Sequence, residues 1–480
     1  MLCSKFIPAK GYLVHSISRL SVILALNLIL SGLLGLRVDA APPTAKSASP
    51  PRVLTRIFFQ DDDARALKWA DVLAAEPPRL GAVRMIKGFP TLDIKRQNLV
   101  QMEVAKGKLL VGVRDDDDGK FQSGWVLIDT GVEEDNHGDH SHWDYPRPPT
   151  VLASVLDEKQ GNPAHVYCYD DVFYLANDKL GGFTRFDPAG IKRDDDVAKI
   201  RSRAVRFSGG GGHITLAAAG GKVAYSTWID RDGPNKGRVD VTSLAGDSKV
   251  QYSLNLPHGG IHGATTCYGK AFFAPSDGLC WIKVNSNPNL DPKTIQVNHV
   301  SLGKDGEKPR RTGSFEVWGN CVGFVTGSGS NAAAGFIDAS RSVLEVVQVP
   351  LHLADGSRPV GPSIVKPRRG APLALVFHDH PADVESTCKL SLIELNLAAD
   401  GNLVGGKRLE VKDVGNCRVD GHSGHHAVGF DDDRRAAIFT NPGDGTLTLL
   451  SLEDRKKVAE FRVGGVPSKI VCVGGSGTGH

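Results

Sequence analysis

Val100 to Asp129 reads VQMEVAKGKLLVGVRDDDDGKFQSGWVLID. Two short apolar strands flank a turn built from Lys106 and Gly107. An acidic turn follows, and a third strand then ends at Asp129. Strands of about five residues punctuated by Gly and Asp read as a small antiparallel sheet rather than as helix. The same phrase returns along the chain at Ala164–Asp187, from Gly212, at Ile261–Val284, at Gly313–Asp338, at Pro362–Leu397 and at His425–Leu452. A partial copy, Pro467 to Gly474, closes the series. Seven full copies at a spacing of about 45 to 65 residues predict an all-β, seven-bladed β-propeller over residues 98–475. A sheet this small cannot bury both faces alone, but packing against two neighbours in a ring buries them. The trailing copy is expected to complete the first blade and fasten the ring. Counting residues 53–97 as a further copy would give eight blades.

Ahead of the repeats, Lys5, Lys10 and Arg19 precede an apolar run from Leu20 to Leu36, and Val38-Asp39-Ala40 offers a small-x-small cleavage site. Residues 1–40 therefore read as a signal peptide, with an uncleaved anchor as the alternative because the run is long. No later segment is apolar enough to span a membrane, so no stable membrane insertion is expected after cleavage. Residues 41–60 read as a linker. Residues 61–97 read as an N-terminal extension with one short helix near Ala64–Ala75.

The full chain carries 57 basic and 54 acidic residues, and removing residues 1–40 leaves 53 of each. A neutral mature chain argues against nucleic acid as a partner. Of eight cysteines, seven remain after cleavage. No C-x-x-C pair occurs, and the pairing of the seven cannot be read from spacing. No nucleophile elbow, phosphate loop or dinucleotide fingerprint occurs.

Two groups of histidines carry the chemistry. The first lies in Glu133 to Trp143, EEDNHGDHSHW, where His137, His140 and His142 stand among Glu133, Glu134, Asp135 and Asp139. With no periodicity and little to bury, the segment reads as an exposed loop, and imidazole mixed with carboxylate suits zinc, copper or nickel. The second is a repeated position. A residue just before the inner strand of each blade sits at one mouth of the channel, so a repeat in sequence becomes a ring in space. The copies place Gln101, His165, His213, His262, Ser314, Ser363 and the pair His425–His426 there. Converging neutral imidazoles suit four-coordinate Zn(II). His258 and His422 lie in the loops that lead to two of these positions. The bland alternative is that the histidines are core or turn residues with satisfied hydrogen bonds.

The H-G-D-H-x-H loop, with Pro163-Ala164-His165-Val166, Gly260-Ile261-His262-Gly263 and His425-His426, resembles the periplasmic zinc metallochaperones of the AztD type, propellers of the YncE-like repeat class. The resemblance spans roughly residues 95–475. It implies a monomeric, non-enzymatic periplasmic or secreted protein that passes Zn(II) to the solute-binding protein of an ABC importer. It also implies a loop site at His137, His140 and His142 and a channel site at His165, His213, His262 and His425 or His426. The extra cysteines, the longer leader and the basic loop Lys304–Arg311 depart from the family pattern. Two other readings stand beside it: a lactonase-like, metal-dependent hydrolase using the channel site, and a protein-interaction scaffold with incidental histidines.

Overall fold

The computed structural model describes residues 51–117, 119–380, 387–420 and 423–476. The leader and its cleavage site lie outside these residues, as do Asp118 and His422. Almost every element is a strand, and among the described residues one five-stranded and seven four-stranded antiparallel sheets follow one another around a ring. The ring is therefore eight-bladed, not seven-bladed. Blades 2 to 8 match the seven sequence copies. Their inner strands are Gln97–Ala105, Pro163–Tyr169, Leu216–Ala219, Ala264–Cys267, Glu316–Trp318, Arg358–Val365 and Val428–Phe430.

Blade 1 is assembled from both ends of the chain. Val53–Asp61 and Ala66–Leu73 form its middle strands, and Arg79–Leu80 with Arg84–Met85 forms its outer edge. Pro467–Val473 is its inner strand. The expected linker thus becomes strand from Val53, and the expected helix near Ala64–Ala75 is strand Ala66–Leu73. The alanine-rich segment pairs with Val53–Asp61, which buries most of its side chains between sheets and satisfies its backbone laterally. The C-terminal strand does fasten the ring, but onto Val53–Asp61 rather than onto the copy at Val100.

The core is divided like the ring. Eight apolar clusters occur among the described residues, and each is shared by two neighbouring blades. The cluster between blades 8 and 1 combines Ile438, Leu447 and Leu449 with Ile57, Phe59 and Ile470. At this closing seam the inner strands approach so closely that a Cβ on Gly429 would lie 2.9 Å from Cys472 Sγ and 3.0 Å from its backbone nitrogen. On the other side of blade 1, buried Arg56 pairs with Asp71 at 2.7 Å and donates to the carbonyls of Thr130 (2.9 Å) and Arg147 (2.7 Å) in blade 2. Its guanidinium lies 4.6 Å over the Trp69 ring.

Strand direction alternates within each blade. Turns from the first to the second strand, and from the third to the fourth, open on one face of the ring. Residues entering the inner strands, and the ends of the second strands, lie on the opposite face. This alternation decides where the histidines fall.

Candidate metal centre

The segment expected as an irregular loop is a hairpin inserted between Ser123–Asp129 and Thr150–Asp157, the third and fourth strands of blade 2. Glu133–Asn136 pairs with Ser141–Asp144, and Gly138 turns at φ 93°. A glycine suits that backbone, and a Cβ there would meet nothing within 4 Å. The turn gathers the three imidazoles. Ring centroids lie 5.2 Å apart for His137 and His140, 5.1 Å for His137 and His142, and 4.9 Å for His140 and His142. His140 Nε2 faces His142 Nε2 at 3.2 Å. Asp139 holds His140 Nδ1 at 2.8 Å and Asp135 holds His137 Nε2 at 3.1 Å. A cavity of about 520 Å³ lies against this hairpin and adds Glu134, Asp432 and Asp433 to its wall.

The channel histidines belong to blades 3, 4 and 5. His165 and His213 have centroids 4.7 Å apart, His213 and His262 4.9 Å, and His165 and His262 6.5 Å. His165 Nε2 lies 3.0 Å from His213 Nε2. His213 Nδ1 is 3.1 Å from Asp178 Oδ2, so a proton on Nδ1 donates to the carboxylate and leaves Nε2 as a lone-pair donor. His262 Nδ1 lies 3.3 Å from the Gly313 carbonyl, which assigns its proton in the same way. Asp178 is placed by the Ile214 backbone N–H (3.0 Å) and by Arg114 (3.3 Å). Burial, reinforced by the neighbouring His213, pushes His165 down to about 3, and burial also lowers His262. Both rings are thereby neutral near pH 7, the protonation state a metal ion requires.

The structure does not seat His425 and His426 with these three. They enter blade 8, across the ring from blade 4, and both turn to Asp379. His425 Nδ1 lies 3.1 Å from Asp379 Oδ2, and His426 Nδ1 lies 2.7 Å from Oδ1. The device is the one seen at His213: a carboxylate at the end of the second strand of one blade holds the residue that enters the next. Burial alone would raise Asp379, yet the hydrogen bonds from His425 and His426 outweigh it and hold the carboxyl well below the usual range. His258 and His299 share Asp277, at 3.1 and 3.2 Å. Gln101 accepts from the Val166 N–H at 3.0 Å and lines the channel without a metal-binding group.

Two cavities make up the channel. One, of about 330 Å³, is lined by His165, His262, Tyr167, Lys469 and Glu103. The second, of about 590 Å³, shares Glu103, Tyr167 and Tyr169 with the first and adds Glu316. It is rimmed by the turns that follow the inner strands, among them Asp170, Gly220 and Gly269, and so opens on the hairpin's face. The three channel histidines lie at the opposite mouth. Glu103 and Glu316, not singled out from the sequence, line this channel. Burial lifts Glu103 to about 8, helped by Glu316, and burial lifts Glu316 to about 7.

A raised carboxyl pKa means that the folded chain holds its proton more tightly than the unfolded chain. Stability from Glu103 is therefore present in full below its ordinary pKa and is lost as pH climbs from about 4.5 to about 8. Glu103→Gln is expected to raise stability at pH 8 by about 1–2 kcal/mol, reduced from the full linkage value because the channel admits solvent, and to change little at pH 4.5. Thermal melts of both chains at the two pH values check this. An equal difference at both would sink it.

No described protein family and no curated protein matches the sequence. Among solved structures, apo AztD from Citrobacter koseri superposes with a TM-score of 0.58 at 18% identity, over 89% of this chain and 100% of that one. A second Citrobacter koseri AztD structure gives 0.57 at 17% identity with the same coverage. The likeness shows the fold, a β-propeller shared with these two structures.

Proposed function

We propose that this chain is an extracytoplasmic zinc carrier that takes up Zn(II) and passes it to the solute-binding protein of an ABC importer. The observation that carries the reading is the convergence of His165, His213 and His262, with the Nδ1 protons of His213 and His262 assigned by Asp178 and Gly313. Sequence neighbours could not produce it, because the three residues come from three blades. The hairpin supplies a second, exposed imidazole group suited to capture. The two groups lie on opposite faces with Glu103 and Glu316 between them. The AztD-like architecture and the leader read from residues 1–40 support the same function and place. Among the described residues, no helix is long and apolar enough to cross a membrane.

Zinc titration against a chromophoric competitor tests this. The parent chain is expected to bind at both groups. The triple change His137→Ala, His140→Ala, His142→Ala is expected to remove the hairpin event and leave the channel event. A purified chain that takes up no zinc above background ends the proposal.

A second reading has one observation behind it. Glu103 shares a cavity with His165 and His262, so a channel-bound metal would have a carboxyl group near it, as metal-assisted hydrolysis requires. Zinc-dependent turnover of esters or lactones that disappears in Glu103→Gln would favour the hydrolase. Silence across such a panel leaves the carrier.

A further inference from the structure

A third group of ligating side chains lies between blades 7 and 8, away from the three channel imidazoles. Asp379 ends the strand Leu373–Asp379, and Cys388 immediately precedes Lys389–Leu397. Cys417 follows Leu403–Asp413, and His426 enters Val428–Phe430. All four are buried. One donor atom from each lies within 4.8 Å of every other. We propose that Asp379, Cys388, Cys417 and His426 form a closed, four-coordinate zinc site that clamps blade 7 to blade 8.

The chemistry selects the ion. Two sulfurs with one imidazole and one carboxylate favour Zn(II) over the oxygen-seeking Mg(II) and Ca(II). The surroundings orient the ligands. His426 Nε2 lies 3.0 Å from the Gly415 carbonyl, so Nε2 carries a proton and Nδ1 is the coordinating atom. The ring is stacked on Phe377, with centroids 4.9 Å apart and planes 5° from parallel. Asp379 Oδ2 accepts from the His426 backbone N–H at 3.0 Å. Cys388 Sγ accepts from the Cys417 N–H at 3.4 Å.

The spacing fits a cluster closed around protons. Cys388 Sγ and Cys417 Sγ are 3.1 Å apart, and His426 Nδ1 and Asp379 Oδ1 are 2.7 Å apart. A tetrahedral Zn(II), with Zn–S near 2.3 Å and Zn–N and Zn–O near 2.0 Å, would set these separations at about 3.8 Å and about 3.3 Å. Both pairs must open by about 0.6–0.7 Å, a small side-chain rotation. The ion replaces the proton shared by His426 and Asp379 and the thiol protons, which leave to solvent. All four positions are then filled by the protein, so the site holds its ion for structure and keeps no open place for exchange.

The full chain, reduced and stripped of metal, is titrated with Co(II) as the probe. Thiolate-to-cobalt charge-transfer absorption in the near ultraviolet is expected in the parent and in His213→Ala. It is expected to vanish in Cys388→Ser. His426→Gln should alter the cobalt d–d bands even if a serine variant folds poorly. Zinc added to a chain carrying His213→Ala together with His137→Ala, His140→Ala and His142→Ala should still raise its melting temperature, because an ion bound only by the folded state stabilises it. The channel variant separates failure of this site from failure of the carrier reading. Absence of the charge-transfer band in the parent overturns the proposal, as does a band of parental strength in Cys388→Ser. A Cys388–Cys417 disulfide in the isolated, metal-free chain, found by peptide mapping, overturns it as well.

Discussion

Replacing His213 with alanine is expected to weaken zinc binding in the channel by more than about 100-fold, and replacing Asp178 with asparagine by about 10- to 100-fold. His213 is the middle member of the three. Its Nε2 lies 3.0 Å from that of His165, and its ring lies within 4.9 Å of His262, so its removal leaves the outer two rings 6.5 Å apart with nothing between them. Asp178 acts one step back. It holds His213 Nδ1 at 3.1 Å and thereby presents Nε2 as a base. Asparagine keeps an acceptor for the Ile214 N–H but loses the charge that orients and polarises the imidazole. Competition against a chelator of known affinity reads both variants, and circular dichroism checks that the fold persists. Parental affinity in His213→Ala would remove the channel site. Parental affinity in Asp178→Asn would leave Asp178 as a fold residue only.

The ring position was legible because the propeller turns a repeated place in sequence into a shared place in space. His165 lies near the start of its inner strand, and His213 and His262 just precede theirs, so their convergence follows from that register. The two histidines of blade 8 obey the same rule but sit across the ring, where distance rather than register decides the partner. Asp178 and Asp379 were less visible. Asp178 directly follows a second strand and Asp379 ends one, and the target of each enters the next blade, so the pairing needs the blade order as well as the strand order. Yet the sequence carries the hint twice, as the acid after LAN in blade 3 and after VFH in blade 7. Cys388 and Cys417 meet only because the strands between them, Lys389–Leu397 and Leu403–Asp413, form a hairpin of a particular register. Spacing alone does not set that register.

Blade 1 escaped the repeat search for a related reason. Its inner strand lies at the far end of the chain, so no contiguous phrase contains the blade. What remains near the N-terminus is a two-strand hairpin, Val53–Asp61 with Ala66–Leu73, followed by two very short strands. The alanines and leucines of ARALKWADVLAA also satisfy a helical spacing, and the pattern alone does not arbitrate. Pairing on both sides of Val53–Asp61 decides for strand, because it satisfies backbone groups that an isolated helix of this length could hold only marginally.

A chain ending at Val466 is therefore expected to lose cooperative folding. Removing residues 467–480 takes away the inner strand of blade 1 and every backbone pairing from Arg56↔Val473 to Asp61↔Pro467. It also removes the bond from Ser468 Oγ to Asp62 Oδ1 (2.6 Å) and the covering of Ile57, Phe58 and Phe59, which are fully buried in the intact ring. The seam between blades 8 and 1 would then expose an unpaired strand edge lined with aromatic side chains, an invitation to aggregation. A gentler version separates closure from general damage. Ile470→Ala, in the seam cluster, is expected to cost about 2–5 kcal/mol through lost burial and a residual cavity. Val458→Ala, on the exposed outer strand of blade 8, is expected to stay within about 0.5 kcal/mol. Denaturant unfolding of the three chains provides the comparison. If the truncated chain unfolds cooperatively near the parental denaturant midpoint, the ring does not depend on its C-terminal strand, and the eight-bladed closure described by the Val53–Asp61 pairing would have to be held by the remaining seams.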